Sequence, residues 1–236
     1  VTNNDLATDA LESEGLSRRE QAVARSLDSA RLRAESRVQR FLDAATELFD
    51  SRPGRDFTVQ EVVERSGQSL HSFYQYFGGK HELLLALFEE TVGSTTERLR
   101  EAIAEESDPL ARLHRFVVEY YRMCRPPLDA ESGGKKEGPL GMAEFAQMLL
   151  TDHPAEATRV FSPLLVLLEE LLQEATKAGV VREGLVNSPI VGTLLEVVMF
   201  NTFSATIGGM SLHRNGDSSE DLWDLILHGI GSGTAP

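Results

Sequence analysis

The sequence predicts an all-α protein, with a small three-helix head near its N-terminal side and a larger helical body, about nine to ten helices in all. Three observations carry this reading. Proline and glycine cut the chain into helix-sized pieces. Within the pieces apolar residues recur every three or four positions, and no stretch holds the two-residue alternation of a half-buried strand. Hydrophobic residues make up 41% of the 236 and charged residues 25%, enough for a sizeable core without a staple.

The elements follow in order. Residues 17–36 are rich in Arg, Ala and Glu and read as a helical or partly disordered arm. Val38, Phe41, Leu42, Ala45, Leu48 and Phe49 fall on one helical face, and Pro53-Gly54 turns the chain. Thr58 caps a short helix carrying Val59, Val62 and Val63, which Ser66-Gly67-Gln68 breaks. Ser69 caps a third helix with Phe73, Tyr74, Tyr76 and Phe77, ended by Gly78-Gly79. A long helix from about Lys80 to Glu106 has Leu83, Leu84, Leu87, Phe88, Thr91, Leu99 and Ile103 on its apolar side. Pro109 opens the next, with Leu113, Phe116, Val117, Tyr120 and Tyr121 inward, and Pro126-Pro127 stops it. Residues 129–138 are the best internal loop, and Leu140 to Leu150 form another helix. Pro154 opens a helix running to Gly179, in which Pro163 predicts a kink or a break. Asn187-Ser188-Pro189 caps a helix reaching about Gly208-Gly209, Asp217-Ser218 opens the last one, and Gly229 to Pro236 is a tail.

Charge is unevenly spread. The net is −14, but residues 17–82 carry 11 basic against 10 acidic side chains, and residues 17–40 hold seven arginines against three acids. A nucleic-acid partner, which the total disfavours, is therefore compatible with the first third of the chain. Three segments result: an N-terminal extension at 1–36, Arg-rich from residue 17; a head at 37–82; and a body at 83–236. No apolar run reaches the ~18 residues of a membrane span, and the acidic, polar start is unlike a signal peptide. Cys124 is the single cysteine, so an internal disulfide is impossible, and the cytoplasm is the expected compartment.

Residues 58–77 contain each part of a helix-turn-helix: two short helices, a tight glycine-bearing turn, and an apolar underside from Val59, Val62, Val63, Phe73 and Phe77. Ser69, His71, Ser72, Tyr74, Gln75 and Tyr76 are polar or amphipathic and are expected to face outward, as in a helix whose N-terminal half lies near base edges. Phe57-Thr58-Val59, Ser66-Gly67-Gln68-Ser69 and the run Phe73-Tyr74-Gln75-Tyr76-Phe77-Gly78-Gly79-Lys80-His81-Glu82-Leu83-Leu84 resemble the N-terminal domain of TetR-family regulators. The resemblance covers residues 38–90. Gln68 stands where the family usually has valine, and Phe73 where leucine is commoner. The resemblance implies a double-stranded DNA operator as partner. It places Ser72 and Tyr74 on DNA, with Thr58, Tyr76 and Lys80 gripping phosphate. Ser69 also belongs to the expected interface, and Leu70 and His71 are candidates for base contacts.

The resemblance also implies a ligand-binding and dimerisation body. Helices 189–208 and 217–229 are expected to pair two subunits as a four-helix bundle. Phe116, Tyr120, Met123, Met142, Phe145, Met148, Leu149, Phe161, Leu165, Met199 and Phe203 are the candidate pocket lining for a small apolar effector whose binding releases a repressor from DNA. The rival reading is a helical structural or partner-binding protein without ligand control. Neither a phosphate loop, a zinc motif nor a Gly-x-Ser-x-Gly elbow is present, so no enzyme and no cofactor are expected. His71 and His81 lie ten residues apart, and His114, His153, His213 and His228 form no cluster with ligand spacing, so no metal is expected either.

Overall fold

The computed structural model describes residues 17–51, 57–124, 140–185, 189–207 and 218–230. Among these residues the chain forms nine helices and no sheet. The head comprises α1 (Arg18–Ser51), α2 (Val59–Ser66) and α3 (Leu70–Tyr76); the body comprises α4 (Lys80–Ala104), α5 (Pro109–Cys124), α6 (Leu140–Asp152), α7 (Pro154–Lys177), α8 (Ile190–Ile207) and α9 (Ser219–Ile230). The Pro53-Gly54 turn, the loop expected at 129–138, the Asn187-Ser188 cap and the tail after Ile230 lie outside the described residues.

Two expectations change. The Arg-rich arm and the first helix of the head are one uninterrupted helix, α1. Its C-terminal part buries Phe41, Leu42, Ala44, Ala45 and Leu48, while residues 18–37 are mostly exposed and project about 30 Å at 1.5 Å per residue. Nothing between the two parts breaks a helix, since Ser36-Arg37 lacks proline and glycine. Pro163 likewise causes no break, for α7 runs through it. Proline cannot donate to the carbonyl of Arg159, one turn back. The Ser162 hydroxyl donates to that carbonyl instead, at 2.8 Å, and Pro163 lies on the solvent face.

The expected boundary at residue 82 falls inside α4, a continuous helix that belongs to head and body alike. Leu83, Leu84 and Leu87 near its start and Leu99 and Ile103 near its end are all buried, and one apolar core runs from Phe41 in the head to Ile230 in the body. Within the body α5 is the central helix, packed against α4, α7, α8 and α9. That position explains why six of its residues, from Leu113 to Tyr121, are buried.

Candidate DNA interface

The recognition unit is built on an aromatic cluster. Phe73 on α3 is fully buried and meets Phe41 of α1 edge-on at 5.4 Å, while Phe77 lies 6.1 Å from Phe41 and 5.5 Å from Phe73. Such ring pairs add roughly 0.5–1.5 kcal/mol each beyond area burial. Phenylalanine in place of the commoner leucine at position 73 is thus matched by a partner ring at position 41.

Local backbone chemistry fixes the two short helices. Thr58 forms a capping box at α2: its hydroxyl oxygen accepts from the Glu61 amide at 3.2 Å, and its own amide donates to the Glu61 carboxylate at 2.8 Å. Gly67 then adopts φ +66°, the left-handed conformation that glycine takes without Cβ strain. This lets the Gln68 amide reach back to the Val63 carbonyl at 3.3 Å and close α2. Ser69 caps α3 by accepting from the Ser72 amide at 3.0 Å. Gln68 is half-buried, and its Nε2 donates to the Arg37 carbonyl at 2.8 Å. The polar residue at a usually apolar position thus ties the turn to α1.

The α3 face opposite Phe73 is open. Leu70 is 44% exposed and Tyr74 56%; His71 and Gln75 are also exposed, their side-chain nitrogens 3.3 Å apart. Positions 70, 71, 74 and 75 share one helical face, so Gln75, expected to face outward, stands beside the candidate base-contacting residues although no DNA contact was assigned to it. The signal that would have found it is its one-turn spacing from His71. Lys80 stands at the first position of α4 with its Nζ 4.7 Å from the Phe57 ring centre.

Three expected contacts sit differently. The Ser72 hydroxyl oxygen is buried rather than facing outward, because α3 turns position 72 toward the side of Phe73. Tyr76 is half-buried and packs on the core with its ring. The Thr58 hydroxyl also donates to the Glu61 carboxylate at 3.0 Å, so its place is the helix cap, beside a negative charge that opposes phosphate.

In the body, Phe116, Tyr120, Met142, Phe145, Leu149, Phe161 and Met199 are buried, Met123, Met148 and Leu165 are half-buried, and the Phe203 side chain lies outside the described residues. Phe145 and Phe161 pack around Phe88 of α4, whereas Phe116 lines a cavity with Leu113, Val117, Leu168, Leu172, Leu194, Leu195, Val198, Ile226 and Ile230. That cavity is wholly apolar, its free space close to that of one water molecule. Burial holds the Tyr120 phenol neutral well above its ordinary pKa, assisted by Cys124.

Residues 41–87, from the buried face of α1 through the first turns of α4, match the family model of bacterial regulatory proteins of the tetR family. Over this segment the chain is similar to TetR-family regulators. The matched segment is the helix-turn-helix domain of that family, and the relatives are transcriptional regulators rather than enzymes. The fatty acid metabolism regulator protein of Bacillus subtilis is 23% identical over 170 residues, covering 69% of this chain and 81% of that protein. The transcriptional activator FasR of Mycolicibacterium smegmatis is 31% identical over 91 residues, 39% of this chain and 42% of that one. Among solved structures, FadR from Bacillus subtilis in complex with stearoyl-CoA superposes with a TM-score of 0.57 at 20% identity, covering 81% of this chain and 98% of that one. No helix among the described residues is long and apolar enough to cross a membrane.

One grouping of side chains escaped sequence reasoning. His81, in the first turn of α4, meets Glu156 near the start of α7, with Nε2 and Oε2 2.8 Å apart. His153, at the cap position of α7, places its ring 4.8 Å from that of His81. The expectation that the histidines form no ligand-like cluster is corrected, since residues 75 apart in sequence are adjacent in the fold. The hydrogen bond with His81 holds the Glu156 carboxyl below its ordinary pKa, against the opposing effect of burial.

Proposed function

We propose that this regulator binds a palindromic operator as a homodimer, represses from it in the cytoplasm, and is released by an apolar effector carrying a long acyl chain. The observation that carries the DNA reading is the outward edge of α3, where Leu70, His71, Tyr74 and Gln75 stand exposed on a helix whose other face is anchored by the buried Phe73. Ser69 caps this helix through its oxygen, leaving the hydroxyl hydrogen for a phosphate, and Lys80 adds a cation at the next helix start. Thr58, Tyr76 and Ser72 support the edge from behind; a rotation about the Ser72 side chain would bring its hydroxyl to the phosphates. Domain roles follow: residues 37–82 engage DNA, 83–236 bind effector and pair subunits, and the arginines of 18–37 reach the flanking duplex.

Pairing rests on α8 and α9. α8 is predominantly apolar, with Thr193 and Glu196 exposed, and only one side of it can face the body. Val197 on α8, Leu225 on α9 and Val166 on α7 are 42%, 70% and 46% exposed, apolar side chains that a partner would cover. Leu222, Trp223 and Ile226, also expected at the interface, are buried within the subunit, so they stiffen the pairing helices from inside. Two heads spaced about 34–36 Å apart would read successive major grooves.

For the effector, support comes from the apolar cavity between α5, α7, α8 and α9 and from the relatives named for fatty acid metabolism and for a stearoyl-CoA complex. The cavity must widen to admit a chain, and widening it displaces α5 and α7, both packed on α4. The effector acts only through its differential affinity for the DNA-competent and open arrangements. The test is operator binding by fluorescence anisotropy during titration with stearoyl-CoA, and with coenzyme A alone as control. Release by the acylated molecule alone supports the reading; unchanged operator affinity at saturating acyl-CoA overturns this effector class.

A further inference from the structure

We propose that His81, His153 and Glu156 form a binding site for a borderline divalent transition-metal cation of the Zn(II) class, clamping the start of α4 to the corner between α6 and α7. The ligand atoms of the three side chains all lie within 4.8 Å of one another. A hydrogen-bonded imidazole–carboxylate pair accounts for His81 and Glu156, but leaves His153 without a reason to be there. Its ring stands 4.8 Å from that of His81 at an interplanar angle of 42°, and two protonated imidazoles there would repel. A cation between two neutral imidazoles and a carboxylate makes the three mutually attractive.

The donor set selects the ion. Two imidazoles and one carboxylate suit Zn, Ni and Co; Mg and Ca prefer all-oxygen shells, and Cu(I) prefers sulfur. Metal–ligand bonds of about 2.0–2.2 Å put tetrahedral ligand atoms roughly 3.4 Å apart. The His81–Glu156 pair, now 2.8 Å apart, therefore opens by about half an ångström, and the widest separation closes. His153 does the closing: it is exposed and makes no side-chain bond to its own helix start. Glu156 is held by the same helix turn, its amide bonded to the His153 carbonyl at 3.0 Å. The Phe145 ring, 5.7 Å from His81, limits how that imidazole can swing. Three protein ligands leave a position for water, as in open rather than closed sites. The Arg159 charge, which acts on Glu156, lowers affinity further and favours reversible binding.

Place gives the site its consequence. His81 follows Lys80 directly in the helix that carries the head, whereas His153 and Glu156 belong to the body. An ion held by all three fixes the distance between them, and any effect on operator affinity is returned as an equal effect of operator on ion affinity.

The test needs no DNA, so it stands or falls apart from the reading above. Full-length, metal-stripped protein is titrated with Co(II), following visible ligand-field absorption and the thermal midpoint. Wild type takes up one saturating equivalent with tetrahedral-type absorption and a raised midpoint. His153→Ala, whose side chain is exposed, melts like the metal-free wild type and loses at least about tenfold in Co(II) affinity; Glu156→Gln behaves in the same direction. The proposal is overturned if wild type shows no saturable uptake, or if both variants bind Co(II) as wild type does.

Discussion

At the scale of the residue, the head separates side chains that hold the turn from side chains that are presented. Gln68 belongs to the first group, through its bond to the Arg37 carbonyl, and Tyr74, more than half exposed, to the second. Their alanine variants should therefore fail in different ways. Gln68→Ala removes one neutral hydrogen bond, at a cost of about 1 kcal/mol, which lowers the melting temperature by roughly 2–4 °C in a chain of this size and weakens DNA binding only in proportion. Tyr74→Ala leaves the melting temperature within about 1 °C, as exposed positions do, and weakens operator binding by at least about tenfold. Calorimetry and anisotropy on the two variants check this. A Tyr74→Ala protein that binds DNA like wild type would remove the tyrosine from the interface.

At the scale of the element, α1 sets a question that its sequence posed and left open. A helix of 34 residues carries a buried stripe only in its second half, and its first half has little to pack on. Residues 17–36 could be read as arm or helix because Arg, Ala and Glu favour helix without dictating it. Arg31–Glu35 is an exposed one-turn pair, which solvent and salt screen and which does little to hold the helix. If the arginines of this half meet phosphate, replacing Arg18, Arg19 and Arg25 with alanine lowers operator affinity for all sequences alike. It also makes log K less steep in log salt by about 0.9 for each phosphate that is no longer neutralised. An unchanged salt slope would leave the extension as a solvated helix with no part in binding.

The same scale shows what was legible in advance. Caps and breakers placed α2, α3 and α4 closely, because Thr58, Gly67, Ser69 and Gly79 act through local backbone geometry that a sequence displays. The aromatic-rich run from Phe73 to Phe77 gave the resemblance for the same reason. Of the kink or break expected at Pro163, the break does not occur, because Ser162 supplies a donor to the carbonyl that proline leaves. The inward turn of the Ser72 hydroxyl, and the sorting of apolar body residues into core and cavity lining, are decided by neighbours on other helices. So is the meeting of His81 with His153 and Glu156. None of these leaves a mark in local spacing.

At the scale of the whole molecule, α4 joins head and body without interruption, and the apolar core is continuous across that junction. In the proposed effector response, a change in the packing of α5 or α7 would therefore reach the head as movement of one helix rather than be absorbed by a linker. This gives the shared core a use beyond stability, since a regulator needs its sensing part and its reading part to be mechanically one. In the proposed dimer, the separation between the two heads would then depend on the state of both bodies.

The measurement that tests the central claim most directly is selection of bound duplexes from a random pool by the full-length protein at a fixed, stated salt concentration. A dimer that reads with both heads enriches an inverted repeat whose half-site centres lie one helical turn apart, about 10–10.5 base pairs, or a multiple of it. Enrichment of a single unpaired half-site would contradict the paired reading. No enrichment at low salt would contradict the placement of the Leu70–Gln75 edge on DNA altogether.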